Sequence, residues 1–252
     1  MSGTSKHTNS WENDEVRVDV PYSAAGVGTT VVVTSRFTGK VLLMDVGDGS
    51  VRDLLAKGNL DFVTELDLIA ITHGHFDHVG GLWTLLGFLR MLGREEALNI
   101  LVPTGCVEIA SIVKGFKECY FDTLGFQINV FQLQHGSGFD TDFFKLKVMG
   151  VEHYGSENIT DKDMLMPAIG YRVSIGNTIV SFTGDSRMCQ SLEDLVTDTD
   201  FAIIEATYEQ HPNPAQKVHL TEIEARNLGK KAKEFILIHK KPDAGKGVSS
   251  PR

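Results

Sequence analysis

The chain has 252 residues, with 24 lysines and arginines against 33 aspartates and glutamates, a formal net charge of −9. This length suits a single α/β domain, and an apolar fraction of 42% excludes a disordered chain. No apolar run approaches the ~18 residues of a membrane helix. Residues 1–15 lack the apolar segment of a secretory signal. Three widely separated cysteines (Cys106, Cys119, Cys189) argue against a disulfide framework, so a cytoplasmic setting without membrane attachment is expected. Residues 217–252 hold nine basic and four acidic side chains, which leaves −14 on the rest. A whole-surface nucleic-acid binder would be basic overall. Lys230, Lys231, Lys233, Lys240, Lys241 and Lys246 are therefore read as a solvated helix face and tail rather than as a phosphate cradle.

Taken in chain order, residues 1–15 read as a flexible tail, 16–240 as one folded domain and 241–252 as a flexible basic tail. Residues 30–35 and 41–46 are apolar, β-branched runs around Gly39 and read as a hairpin. The run LDLIAIT at 66–72 predicts a buried strand, 79–93 a helix, 100–103 a strand and 107–117 a helix. Alternation predicts strands at 127–134 and 143–152, and two more within 168–183 around the turn pair Gly176-Asn177. A helix at 191–196, a strand at 201–206, a helix at 221–233 and a last strand at 235–238 follow. Thr221 with Glu224 makes the capping-box pattern at the start of the last helix. Two packed sheets flanked by helices are expected.

The chemistry is concentrated in Thr72-His73-Gly74-His75-Phe76-Asp77-His78-Val79-Gly80-Gly81, between a buried strand and a helix. In an extended segment alternate side chains share a side, so His73, His75 and Asp77 can converge. His78, at the turn into the helix, can be redirected to a second centre, and Gly80 and Gly81 let backbone pack closely behind. Imidazoles with a carboxylate suit Zn²⁺, Mn²⁺ or Fe. Three more groups end apolar runs: His153 in VMGVEH, Asp185 in SFTGDS and His239 in FILIH. A lone histidine of this kind is more often packed or solvated; three such groups at successive strand ends favour ligation. His135 and His211 are read as surface residues, with His7 in the tail.

These motifs resemble the metallo-β-lactamase superfamily, and most closely its ribonuclease Z-like branch. Glu205-Ala206-Thr207-Tyr208 after a strand and His219-Leu220-Thr221 before a helix are similar to that branch's strand-end Glu and His-Ser/Thr motifs. A β-lactamase proper usually has Cys where Asp185 stands, and a flavodiiron protein has Glu in place of His75. The resemblance implies a four-layer αβ/βα sandwich of two mixed β-sheets flanked by helices. It implies two divalent metals, zinc first and manganese or iron as substitutes. His73, His75 and His153 would hold one, Asp77, His78 and His239 the other, with Asp185 bridging. A metal-bridging hydroxide would attack a phosphodiester, Asp77 would orient it, and His219 backed by Glu205 would protonate the leaving oxygen. The substrate would be a small anionic ester or RNA, and a homodimer is compatible with the resemblance. Only 31 residues separate His153 from Asp185, too few for the long arm with which that branch grips tRNA. The alternatives are hydrolysis of an aryl sulfate, lactone or thioester, and a non-catalytic metal-binding module.

Overall fold

The computed structural model describes residues 10–56, 60–156, 164–212 and 217–242. Thirteen strands form two sheets. The first runs in the order β1 (Ser10–Glu12), β2 (Val16–Ala24), β3 (Gly28–Ser35), β4 (Val41–Val46), β5 (Leu66–Ala70), β6 (Leu98–Pro103), β7 (Ile128–Leu133). The second is ordered β13 (Glu234–Ile238), β12 (Phe201–Glu205), β11 (Thr178–Phe182), β10 (Ile169–Ile175), β9 (Lys145–Gly150), β8 (Gly138–Asp140). Each sheet is antiparallel at one end and parallel at the other, β4 to β7 and β11 to β13 being the parallel parts.

Parallel neighbours need crossovers, and the helices supply them. α1 (Ser50–Leu55) and α2 (Asp61–Glu65) link β4 to β5, α3 (Phe76–Val79) and α4 (Leu82–Met91) link β5 to β6, and α5 (Val107–Cys119) links β6 to β7. α6 (Gln190–Val196) and α7 (Glu222–Gly229) serve the second sheet.

The central strands are apolar on both faces because both are covered. Val31, Val33, Leu42, Met44 and Leu68 meet Tyr171, Val173, Phe182 and Ile203 between the sheets. Their sequence neighbours Val32, Leu43 and Ile69 pack outward on Leu82, Leu85, Leu89, Ile109 and Phe116. Ala202 and Ile204, flanking Ile203, face Leu192, Leu195 and Leu228 of α6 and α7. Three cores separate four layers, as expected from the alternation of helix and strand signals.

Some expectations need correction. Residues 10–15, inside the segment read as a tail, are structured: β1 pairs with β2, Trp11 stacks on Phe201 at 4.7 Å, and Glu15 accepts from Thr178 Oγ1 at 2.6 Å. Stacking a half-buried aromatic ring and pairing an edge fix these residues despite their polar composition. The helix expected at 79–93 is α4 alone, Leu82–Met91; Val79 instead closes the preceding α3, and Gly80 and Gly81 separate the two. The last helix stops at Gly229, a weak helix former, and the chain turns into β13. Sequence periodicity missed β2, whose pairing carries a bulge between Asp19 and Tyr22, and the short α1, α2 and β8. His7 and residues 243–252 lie outside the described residues. Among those described, no helix is long and apolar enough to cross a membrane.

Candidate metal centre

β4 and β5 of one sheet and β9, β11, β12 and β13 of the other end at one rim, and the candidate side chains sit on or just after those C-terminal ends. Asp45 belongs to β4; His73 to His78 follow β5; His153 follows β9; Asp185 follows β11; Glu205 closes β12; His239 follows β13. The two sheets are clamped beside the site by an isolated bridge between His73 and Ala168 and by Tyr171 Oη donating to Ile71 O at 2.8 Å. Asp45 and His239 take left-handed backbone, each with φ 57. This conformation costs an L residue about 1–2 kcal/mol and here turns each side chain into the site. Gly184, also at φ 57, packs where a Cβ would lie 2.6 Å from Thr72 Cβ, so no side chain is admitted beside Asp185.

The predicted residues come together in two adjoining groups. His73, His75 and His153 converge with Asp185: His75 Nδ1 is 3.1 Å from both His73 Nε2 and His153 Nε2. Asp77, His78 and His239 form the second group, with His239 Nε2 3.2 Å from His78 Nε2 and 3.2 Å from Asp77 Oδ2. Asp185 stands between them, Oδ2 3.3 Å from His78 Nε2 and Oδ1 3.4 Å from His239 Nδ1. His75 is half-buried; the others are buried.

Hydrogen bonding assigns the tautomers. Thr72 gives its single hydroxyl proton to Asp45 Oδ2 at 2.8 Å, so it accepts from His73 Nδ1 at 3.0 Å and leaves the His73 Nε2 lone pair facing the centre. Thr207 repeats the device: it donates to Glu205 Oε2 at 2.8 Å and accepts from His239 Nδ1 at 2.9 Å. His78 Nδ1 donates to Asp45 Oδ2 at 2.7 Å. With both Nδ1 atoms engaged, the Nε2 atoms of His78 and His239 face each other and turn toward Asp185 and Asp77.

The electrostatics point the same way. Burial holds His73, His75 and His153 below the usual imidazole range, the last at about 3, so their ring nitrogens are neutral donors. Burial opposes the charge on Asp185 and Asp77, but neighbouring histidines outweigh it. His239 and His78 hold Asp185 well below the carboxylate range, and the His239 hydrogen bond with the His78 charge brings Asp77 to about 2. Burial likewise disfavours charge on His78, yet Asp185 and Asp45 raise it well above its ordinary value. The centre demands positive charge, and Asp185 Oδ1 is buried without a hydrogen-bond partner among the described residues. Imidazole and carboxylate donors with that demand fit divalent metal ions.

The matching family model, "Beta-lactamase superfamily domain", spans residues 45–239, from Asp45 to His239. The chain belongs to the metallo-β-lactamase superfamily. Within it, the chain lies in the ribonuclease Z-like branch: it is 27% identical over 236 residues to Ribonuclease Z of Metallosphaera sedula, covering 81% of this chain and 80% of that one. The fold is similar to that of the metallo-β-lactamase fold protein YhfI from Bacillus subtilis, with TM-score 0.70, 19% identity and coverage of 91% and 88%. It is also similar to the short form of human tRNase Z, with TM-score 0.68, 21% identity and coverage of 89% and 92%.

Around this superfamily centre, His219 Nδ1 lies 2.9 Å from Glu205 Oε1 and 3.8 Å from Asp185 Oδ2. Glu205 also accepts from the backbone of Ser186, Thr207 and Leu220, so its position is fixed from several sides. A cavity of about 500 Å³ opens on the centre, lined by His75, Asp77, His153, Asp185, His219 and His239 among others. His135 stays outside, accepting from Gly150 N at 3.1 Å. His211 is half-buried rather than a simple surface residue, pairing with Glu224 at 2.8 Å. The three cysteines are free thiols.

Sequence reasoning missed Asp45, Thr72 and Thr207 as groups that orient the histidines. Asp45 carried the same signal as His239, a lone polar residue ending an apolar strand in VLLMDV. It also missed the end of β2 and the turn after it: Gly26 N donates to Asp77 Oδ2 at 2.7 Å and Ser23 Oγ accepts from His239 N at 3.0 Å.

Proposed function

We propose that this metal-dependent hydrolase cleaves phosphodiesters, with water as nucleophile and His219 as proton donor. In this reading His73, His75 and His153 hold one divalent cation, Asp77, His78 and His239 a second, and Asp185 serves both. Zinc suits these donors best, with manganese or iron as substitutes. When bound, the pair supplies a water acidified toward neutral pH and positive charge facing an anionic ester. Asp77, kept ionised and anchored by Gly26 and His239, accepts a hydrogen bond from the attacking water and orients it. His219 has Nδ1 engaged by Glu205, so Nε2 is the atom that passes a proton to the leaving oxygen. Glu205 steers the ring and stabilises its charged form.

The observation that carries this reading is the buried His219–Glu205 pair beside Asp185 on the cavity wall. An alkoxide is a poor leaving group and needs such a donor. Relatives named Ribonuclease Z extend the candidate substrates from small diesters to RNA. The test is elemental analysis of the purified protein alongside bis(4-nitrophenyl) phosphate, 4-nitrophenyl sulfate and a lactone. Preference for the phosphodiester with two metals per chain is expected. Preference for the sulfate or lactone would transfer the same centre to another ester, and a metal-loaded protein inert on all three would make it a non-catalytic metal-binding module.

A further inference from the structure

We infer that Arg187 and Glu152 are positioning residues for the first cation: together they clasp His153 to the loop that carries Asp185. This rests on the ligand assignment proposed above and deepens it. Three of the proposed imidazole ligands have a side chain that fixes the ring, because His73, His78 and His239 direct Nδ1 to Thr72, Asp45 and Thr207. His153 has none. Its Nε2 faces His75 Nδ1 at 3.1 Å, and its Nδ1 is buried without a hydrogen-bond partner among the described residues. A metal-ligating imidazole ordinarily takes its orientation from such a bond. For His153 the backbone that carries the ring must supply it.

That backbone is tied to the Asp185 loop. Glu152, immediately before His153, accepts at its carbonyl from Arg187 N at 2.9 Å and donates its own N–H to Ser186 Oγ at 3.3 Å. The Arg187 side chain closes the clasp. Its Nε and Nη2 both lie 2.6 Å from Glu152 Oε2, and its guanidinium sits 5.3 Å from the ring centroid of Tyr154. One side chain, just beyond Asp185, thus grips the residues on both sides of His153. Tyr154 is held in turn by a bridge to Leu165.

The Arg187 and Glu152 side chains are 34% and 38% exposed, and an ion pair that wet adds little to global stability. What it fixes is a distance, because it joins the ends of β9 and β11, which deliver different ligands to one cation. Asp185 has supports besides the clasp: Ser186 N donates to Glu205 Oε1 at 3.1 Å, and Gly184 packs closely on Thr72. The cost of opening the clasp therefore falls on His153. The second cation draws its other ligands, Asp77, His78 and His239, from elements outside the clasp.

The test reads zinc affinity by competition with a chromophoric chelator in two backgrounds: His239→Ala, which keeps the first cation, and His75→Ala, which keeps the second. In the H239A protein, R187Q and E152Q should each weaken zinc binding by about tenfold, the low end of the effect of losing an outer partner. These two substitutions shift the local charge in opposite directions, so a like loss in both reads the clasp and not the field. In the H75A protein each should cost less than about twofold, as for independent sites. R187K, which keeps a cation beside the one accepting oxygen, should recover most of the loss, and the visible absorption of cobalt in the H239A protein should change with R187Q and return with R187K. K231Q, which breaks the similarly exposed Lys231–Glu193 pair, should leave both affinities within about twofold. No loss in the H239A protein, equal losses in the two backgrounds, or opposite shifts in R187Q and E152Q overturn the inference while leaving the ligand assignment intact. Should R187Q fail to fold, E152Q and R187K carry the same comparison. If H239A or H75A retains both cations, or neither, the ligand assignment is overturned instead.

Discussion

Asp45 Oδ2 accepts a hydrogen bond from His78 Nδ1 at 2.7 Å, and both groups are buried. The same carboxylate takes the Thr72 hydroxyl at 2.8 Å, and its other oxygen takes the Thr72 N–H at 2.8 Å. One residue of β4 thus sets the ring of His78 directly and that of His73 through Thr72, so both proposed metal positions depend on it.

Replacing Asp45 with Asn keeps the volume and tolerates the left-handed backbone, but removes the charged acceptor. D45N should weaken binding of the second metal by about 10–100-fold, the usual effect of losing an outer carboxylate. Competition against a chromophoric chelator measures it. Undiminished affinity would mean that Asp45 only packs.

His75→Ala and Asp185→Ala should each lose about one metal per chain together with activity, because each removes a donor that no neighbour can replace. Emission spectrometry on purified variants reads the stoichiometry. Two metals retained in either protein would defeat the ligand assignment.

His219→Ala should keep both metals. Its rate should fall by about 10²–10⁴-fold on alkyl leaving groups and far less on nitrophenyl ones, which depart without a proton. An equal loss on both kinds would remove His219 from the role of acid.

The N-terminus of α7 gives a test of folding that is separate from the chemistry. Thr221 Oγ1 accepts from Glu224 N at 3.2 Å, while the Glu224 carboxylate accepts from Thr221 N at 2.9 Å. Thr221→Ala should lower stability by about 1 kcal/mol in denaturant titration.

Burial alone would raise the Glu224 carboxyl, but hydrogen bonds from the Thr221 backbone, His211 and Lys217 outweigh it and bring it to about 2. A depressed carboxyl stabilises the fold above its unfolded value of about 4.3 and loses that contribution as pH falls toward 2. E224Q should therefore flatten the stability profile between pH ~4.5 and ~2. A slope unchanged from wild type would show that other carboxylates carry it.

The layer order, the hairpin at Gly176-Asn177, the capping box and all seven proposed metal ligands were legible in the amino-acid sequence, because each leaves a local mark. Alternating apolar residues reveal which strands are covered, and polar residues at the ends of such runs reveal the rim. Only the folded chain decided what holds those ligands in place. Asp45 and Thr207 orient imidazoles 33 and 32 residues away, Gly26 reaches across to Asp77, and Lys241 left the expected tail to line the site. Hydrogen bonds across that separation have no period and no spacing along the chain. They exist only once two sheets, each closed by its own helices, bring their strand ends to a common edge.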